Sequence, residues 1–566
     1  MFLPANLRLI LLSLFFMACG LALDAQQHGK PAIFPDGRIE TYFRFILPKG
    51  AELKEISKII SIDCRKADTV YAYANPAEFG RFRQLNLPFE RLVAPSLIRK
   101  PIMKSATKGL MVWDAYPTYD SYVQMMNNFA ASYPNLCKLD TFGTTVNGRL
   151  LLSAHLTGKT SAHSFKPQVM YSSSIHGDET SGYVFMLELI DFLTGKYGTD
   201  PLATRLMDSL EIFINPLINP DGTFAGGNST ISGATRYNAN GVDLNRNFPD
   251  PAGGAHPDGN AYQPETQAMM NLLDSNHVVL AANFHEGAEV VNYPWDTWQA
   301  RHADDLWFQY ISKMFADSAQ HYGPAYYFTD ITSDGYTDGW DWYSISGGLQ
   351  DYHTYFMHGR HVTIEINRVK SPSASLLPEY WNALFPSFIH YLEQAMYGLH
   401  GTVTDSLTGK PLLAKIEIPS KDKDNSWVTS VDGAFCRFRD NDTCDVRITA
   451  PGYDTAIIHS VPITVLQQTR LDVRMHPVKG DSLPSHVQGS LRIYPNPFES
   501  CLNIEIPPYI APVSVVIFDL SGRAWLSLDA KSSGLSINTD ALPRGMYMAV
   551  VYAGKAPVLT QKLIKL

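Results

Sequence analysis

Cysteine is scarce. The 566 residues hold six, none in a C-x-x-C pair, which excludes a thiolate zinc site and a disulfide-stapled small fold. Cys436 and Cys444 are near enough in sequence to bridge a hairpin in an oxidising compartment, while Cys64, Cys137 and Cys501 read as buried small hydrophobes. Excess positive charge is also lacking: 46 Lys and Arg face 55 Asp and Glu, a net charge of -9. That argues against a nucleic-acid partner and leaves a cationic substrate open. No apolar run after the first residues is long enough to cross a bilayer. The one early run, Leu9 to Leu23 behind Arg8, is short and reads as an export signal cut near Ala22 or Ala25. A lipoprotein anchor at Cys19 is disfavoured because Phe16-Met17-Ala18 is a poor match to such a signal.

What is present is folded material, 45% hydrophobic and 18% charged, in a chain long enough for about three to five domains. Strand patterns at Tyr42–Leu47, Thr69–Tyr73 and Phe89–Val93, with helical ones at Ala51–Ile60 and Ala77–Leu85, predict a small α+β domain. The basic, aperiodic stretch 99–108 then reads as an exposed, protease-sensitive linker. Residues 26–108 are either an activation propeptide or a permanent accessory domain. From 109 to 397 apolar strands alternate with helices: Gln168–Ser174, Thr180–Thr194 as a helix, then Leu210–Leu217. This predicts an α/β domain on a mixed sheet, with ligands gathered at strand ends. Residues 398–476 carry short strands and turns at Asp405–Gly409 and Asp432-Gly433, the pattern of a β-sandwich. A polar linker at 477–490 precedes a second all-β module at 491–566, with turns at Ser521-Gly522 and Arg544-Gly545.

His176-Gly-Asp-Glu179 puts an imidazole and a carboxylate three residues apart, two of the three protein ligands an open zinc site takes. With 17 His in the chain, chance also supplies such a pair, as two polar side chains on a surface turn. His285 follows the apolar run Val278–Phe284 and so sits at a strand end, where a ligand is held rigidly. Glu365 lies inside Val362-Thr-Ile-Glu-Ile366, and a carboxylate on a buried strand calls for an ion pair or a function such as general base. Asn219-Pro-Asp-Gly222 is a turn. Asn245 and Arg246 offer an amide and a fork suited to a carboxylate, or serve as loop scaffolding.

These blocks, with Arg236 to Phe248, Asn283-Phe-His285, Tyr343 to Asp351 and Thr363-Ile-Glu365, make the segment from about Tyr116 to Tyr397 resemble the M14 family of zinc metallocarboxypeptidases. The resemblance implies one Zn²⁺ held by His176, Glu179 and His285, and Glu365 as the base that activates the zinc water. It implies Arg236 as the group that polarises the scissile carbonyl, and Asn245 and Arg246 as the grip on the substrate's C-terminal carboxylate. Tyr343 would close over the substrate, and Asp243 would orient His176 from behind. Asp178, where digestive members carry Arg, points to the N/E or regulatory subgroup, and the stretch Val291-Asn-Tyr-Pro-Trp-Asp296 then makes Asp296 the selector for C-terminal Lys or Arg, with Gln350 beside it. Asp296 as a plain turn residue after Pro294 is the alternative. Glu286 stands beside the zinc His where relatives often have a small residue, so its carboxylate either points away or alters the local charge.

Residues 398–476 resemble the transthyretin-like sandwich of that subgroup through Gly401-Thr-Val-Thr-Asp405 and Ala450-Pro-Gly-Tyr453. Residues 491–566 resemble the C-terminal sorting domain of type IX secretion substrates through Tyr494-Pro-Asn-Pro-Phe498 and Arg544-Gly-Met-Tyr547. The expectation is a secreted or surface-held enzyme, exported through the periplasm, that trims basic residues from peptide or protein C-termini and meets the secretion machinery through its last domain. A catalytically silent binding or adhesion protein, or a carboxypeptidase for cell-wall peptides, are the alternatives.

Overall fold

A computed structural model describes residues 33–566 except 36, 105–112, 159–164, 479–491, 506–512, 520–522, 531–533 and 554–555. The signal segment, Cys19, most of the second linker and the Ser521-Gly522 turn lie outside the described residues.

The N-terminal domain is a four-stranded sheet of β1 (Thr41–Ile46), β2 (Ser61–Lys66), β3 (Thr69–Ala74) and β4 (Phe89–Leu92), in the order β2-β3-β1-β4. Phe43, Phe45, Phe79 and Phe82 fill its core. The helix Pro76–Arg83 begins on a capping box: Asn75 accepts from the Glu78 backbone N–H, and Glu78 reaches back to that of Asn75. The helix expected at Ala51–Ile60 is shorter, Leu53–Ser57, because the chain turns after it into β2, which the sequence reading passed over. The linker is also less loose than expected. Met103–Lys104 forms a short parallel ladder with Tyr116–Pro117.

The central domain is built on eight strands: β5 (Cys137–Thr144), β6 (Leu150–Leu156), β7 (Gln168–Ser173), β8 (Glu211–Asn215), β9 (Val278–His285), β10 (Glu289–Tyr293), β11 (Tyr336–Asp338) and β12 (Arg360–Ile366). Their order is β11-β10-β12-β9-β7-β8-β6-β5. The middle four, β12, β9, β7 and β8, run parallel, while β5, β6 and β10 pair antiparallel to their inner neighbours. Every residue of β9 is buried, as expected for a strand with helices on both faces. The register is what places chemistry: His285 pairs with Glu365 across β9 and β12, and Phe284 pairs with Ser173 across β9 and β7. The carboxyl ends of three neighbouring parallel strands therefore meet at one spot, where ligands of open α/β sheets bind. The helix Ser181–Lys196 packs beneath, with eleven of its residues buried.

Residues 398–475 form two four-stranded sheets around Leu399, Val403, Ile416, Phe435, Val446 and Ile448. The sandwich is joined to the central domain by a buried ion cluster in which Asp304 meets Arg360, Arg437 and Arg439, and by Trp307 stacked on Phe438. The Cys436–Cys444 bridge does not form: both thiols are free, and Cys436 instead lies 3.4 Å from His400 Nδ1. Cys64 and Cys501, expected to be buried, are half-buried. In the C-terminal module the last strand, Ala556–Lys565, carries Ile564 into a hydrophobic cluster of the central domain.

Candidate metal centre and active site

The turn after β7 sets up the site. A Cβ on Gly177 would come within 2.3 Å of the Gly222 carbonyl carbon, so this glycine lets the His176–Glu179 turn pack backbone to backbone on the Asn219-Pro-Asp-Gly222 turn. Asn219 stiffens that second turn by accepting from the Gly222 N–H at 2.8 Å. His176 and Glu179 are thereby presented to His285.

The three side chains converge. Glu179 Oε1 lies 2.9 Å from His176 Nδ1, its Oε2 lies 2.9 Å from His285 Nδ1, and the two Nδ1 atoms are 3.1 Å apart. Among the described residues this is the one such group of His, Cys, Asp or Glu, and all three are buried. Two imidazole nitrogens 3.1 Å apart, both facing one carboxylate, make a buried donor set of the type that holds a dication. The three donor atoms stand 2.9–3.1 Å apart, a few tenths of an ångström closer than the roughly 3.3–3.6 Å between neighbouring ligands of a tetrahedral zinc ion, so a small outward shift of the side chains would admit the metal. Each imidazole is braced through its other nitrogen. His176 Nε2 donates to Asp243 Oδ1 at 3.2 Å, and His285 Nε2 lies 2.7 Å from the Asn283 amide, itself held by the Thr363 hydroxyl at 3.0 Å. The atom facing His285 Nε2 is Asn283 Nδ2, and the Asn283 Oδ1 accepts from the Thr363 hydroxyl, which fixes the amide beside the imidazole. Asn283 has this positioning place, which sequence reasoning missed; its spacing two before the His on a strand puts it on the same face.

Asp243 also accepts from Arg236 Nε at 3.0 Å and from Ser61 Oγ at 2.6 Å. Burial pushes Asp243 up, but Arg236, His176 and Arg246 outweigh it and hold the carboxyl well below its usual range. Arg236 Nη1 stands 3.8 Å from Glu179. Glu365, half-buried, has no hydrogen-bond partner on Oε2 among the described residues. Burial, then the neighbouring Glu179 charge, raise it well above the usual carboxylate value, a direction that a bound dication opposes.

Asn245, Arg246, Asp296, Tyr343 and Glu365 line one cavity with the three metal-ligand candidates. Arg246 Nη1 donates to the Asn245 carbonyl at 2.8 Å, and Asn245 Oδ1 accepts from the Leu349 N–H at 2.9 Å. Asp296 accepts from Asn292 Nδ2 at 2.9 Å. Burial, reinforced by Asp338 and Asp250, pushes it up to about 7. Gln350 is not brought to the cavity wall; its Oε1 accepts from the Thr363 N–H at 2.8 Å and braces β12 from behind.

Glu286 points away from the donor atoms. Its carboxylate accepts from the backbone N–H groups of Thr180 (3.1 Å), Ser181 (2.7 Å) and Ser371 (2.9 Å) and from the Ser181 hydroxyl. The side chain of Thr180 does not cap the helix Ser181–Lys196, so Glu286 does so from the connection between β9 and β10. Glu286→Ala is expected to cost about 2–4 kcal/mol by leaving buried donors unpaired. A lowered thermal midpoint with zinc content intact checks it. Lys370 was also missed, because it lies in a polar stretch after β12 that reads as a loop. It is buried, 3.1 Å from Glu179, 3.3 Å from Asp178 and 2.9 Å from Asp63 of the N-terminal domain.

Sheet topology and donor set together define a zinc-site α/β domain of the carboxypeptidase type. Residues 122–387 match the sequence profile of the family described as zinc carboxypeptidase, and the chain belongs to that family. It is 31% identical to the mouse carboxypeptidase N catalytic chain over 371 residues, 59% of this chain and 80% of that one. It is 32% identical to carboxypeptidase D of Drosophila melanogaster over 384 residues, 64% of this chain but 27% of the relative, so the chain spans about a quarter of that protein's length. A crystal structure of thrombin activatable fibrinolysis inhibitor is similar at 16% identity and a TM-score of 0.48, covering 63% of this chain and 98% of that one. Residues 492–566 match the secretion system C-terminal sorting domain. The family's metal is zinc, and His176, Glu179 and His285 fit it.

Proposed function

We propose that this chain is a zinc carboxypeptidase that hydrolyses the last peptide bond of peptides or proteins, with preference for C-terminal Lys or Arg. The observation that carries the reading is the single cavity in which the His176–Glu179–His285 donors face Glu365, with Asn245, Arg246 and Asp296 on the same wall. Zinc at this site supplies a Lewis acid for the scissile carbonyl and for water. Arg246 and Asn245 hold the terminal carboxylate, which restricts attack to the last bond. Arg236 offers hydrogen-bond donors to charge developing on the carbonyl oxygen, while Asp243 keeps both Arg236 and His176 in place. Glu365 takes a proton from the attacking water and returns it to the leaving amine. Tyr343 closes the cavity over the substrate. Asp296 meets the cationic side chain, and a buried carboxylate discriminates against an apolar one. The adhesion alternative has no support from lost residues, since all three donors and Glu365 are present.

The sorting domain directs the chain to the cell surface or beyond. A periplasmic passage behind a cleaved signal completes the route we propose, and the sandwich at 398–476 is a transthyretin-like support for the catalytic domain. The test is a scan of model peptides differing only in the C-terminal residue, with and without a chelator, on intact protein and on protein nicked ahead of Tyr116. Chelator-sensitive release confined to the C-terminal residue, fastest for Lys and Arg, is the expected result. Zinc content near zero in metal-replete protein, or no release from any peptide, would overturn it.

A further inference from the structure

The wall that would hold a substrate's C-terminal residue is backed by the sorting domain. Asn245 and Arg246 line the cavity between Leu244 and Phe248, and the Leu349 N–H donates to Asn245 Oδ1 at 2.9 Å. Leu244, Phe248 and Leu349 share one hydrophobic cluster with Ile564, a residue of the chain's last strand. Ile564 is fully buried there, and Leu566 packs on the same cluster. Lys562, also on that strand, pairs with Asp274 at 3.4 Å. The sorting domain is thus anchored in the core that carries the carboxylate grip.

A second contact reaches the same wall through the loop 250–262. On its inner side Asp250 is buried, its Oδ2 accepting from the Gly347 N–H at 3.0 Å and its Oδ1 from the Thr297 hydroxyl at 2.7 Å. Gly347 belongs to the segment that brings Tyr343 and Ile345 to the cavity, and Thr297 follows Asp296. The fit is close: a Cβ on Gly347 would come within 2.2 Å of the Arg246 carbonyl oxygen and 2.7 Å of Pro257 Cγ. The outer side of the loop meets the sorting domain. A Cβ on Gly254 would lie 2.6 Å from Arg544 Nη1, and His256 Nε2 stands 3.7 Å from Glu499. Gly254 holds φ at +91°, a conformation that suits glycine, and the guanidinium takes the space a side chain would need.

We propose that the docked sorting domain is a working part of the peptidase site, with Ile564 and Arg544 as positioning residues for the grip on the substrate's C-terminal residue; this rests on the carboxypeptidase reading. Ile564 anchors the domain and supports the core under Asn245 and Arg246. Arg544 bears on the loop 250–262 and, through Asp250, on the backbone that carries Tyr343 and Asp296. A wall held from both sides is preorganised for the substrate's carboxylate and side chain. Loosening it weakens substrate binding and leaves the His176–Glu179–His285 donors in place.

The test compares the zinc-loaded full chain with Arg544→Ala and Ile564→Ala. Three quantities are read: kcat and KM for a peptide ending in Arg, the affinity for free arginine by titration calorimetry, and zinc content. Free arginine is the probe because it carries both groups the wall would hold, a carboxylate and a guanidinium. Each variant is expected to raise KM and the arginine Kd by roughly 3-fold to 30-fold, the range for residues that act on a site from a distance. With zinc content unchanged, kcat is expected to stay within about twofold of the parent, the pattern of lost binding rather than lost chemistry. Arg544 is exposed, so its truncation leaves the fold intact even if Ile564→Ala does not fold. Parental KM and arginine affinity in Arg544→Ala would overturn the proposal, and so would a loss confined to kcat or to zinc. A parent chain that hydrolyses no peptide would overturn the carboxypeptidase reading instead, and the arginine affinities alone would then decide whether the sorting domain supports the wall.

Discussion

Glu365→Gln, assayed in the zinc-loaded protein, is expected to lower kcat by about 10²–10⁴-fold while zinc stoichiometry and substrate affinity stay close to those of the parent. The amide keeps the shape of the side chain on β12 opposite His285 but can no longer accept the proton of the attacking water. Because Glu365 contributes no donor to the His176–Glu179–His285 group, metal retention separates loss of the base from loss of the site. A variant with most of the parental kcat would remove Glu365 from the mechanism.

Asp296→Ala is expected to cut the kcat/KM ratio for Arg over Ala C-termini by roughly 30-fold to 5,000-fold, the equivalent of the 2–5 kcal/mol lost when one member of a buried charge pair is removed. The pH dependence has a definite sign. Burial, with Asp338 and Asp250 next, raises Asp296 to about 7 in the free protein, so below that pH the group is neutral and attracts a guanidinium weakly. The preference for basic residues in kcat/KM, which reports the free enzyme, therefore grows as pH rises through 7 and is flat in Asp296→Ala. An unchanged substrate profile, or a preference that falls with pH, would refute the assignment.

The centre of the site was legible because its residues stand on regular elements. His285 closes an all-buried strand, Glu365 interrupts an apolar one and His176 follows a third, so the apolar runs marked where they stand and the family resemblance joined them into one site. The regions that escaped notice lacked such patterns. Strand β2 reads Ser-Ile-Asp-Cys-Arg-Lys, half-buried and mixed in polarity, and its partners Asp243 and Lys370 lie about 180 and 307 positions further along. Contacts of that separation leave no local trace in one sequence. Glu286 was legible as a departure but not as a cap, because the helix it serves begins 105 residues earlier at Ser181. The Cys436–Cys444 pairing failed for the opposite reason. Closeness in sequence was present, but the two residues belong to different sheets of the sandwich.

The Asp304 cluster bears on how such a chain is divided. One carboxylate from the catalytic domain faces one guanidinium of its own side, Arg360, and two from the sandwich, Arg437 and Arg439. Arg437 is in turn neutralised by Asp422 of the sandwich. Severing the two domains would strand buried ions on both faces, and each uncompensated charge costs several kcal/mol. The catalytic and sandwich domains therefore constitute one transplantable unit.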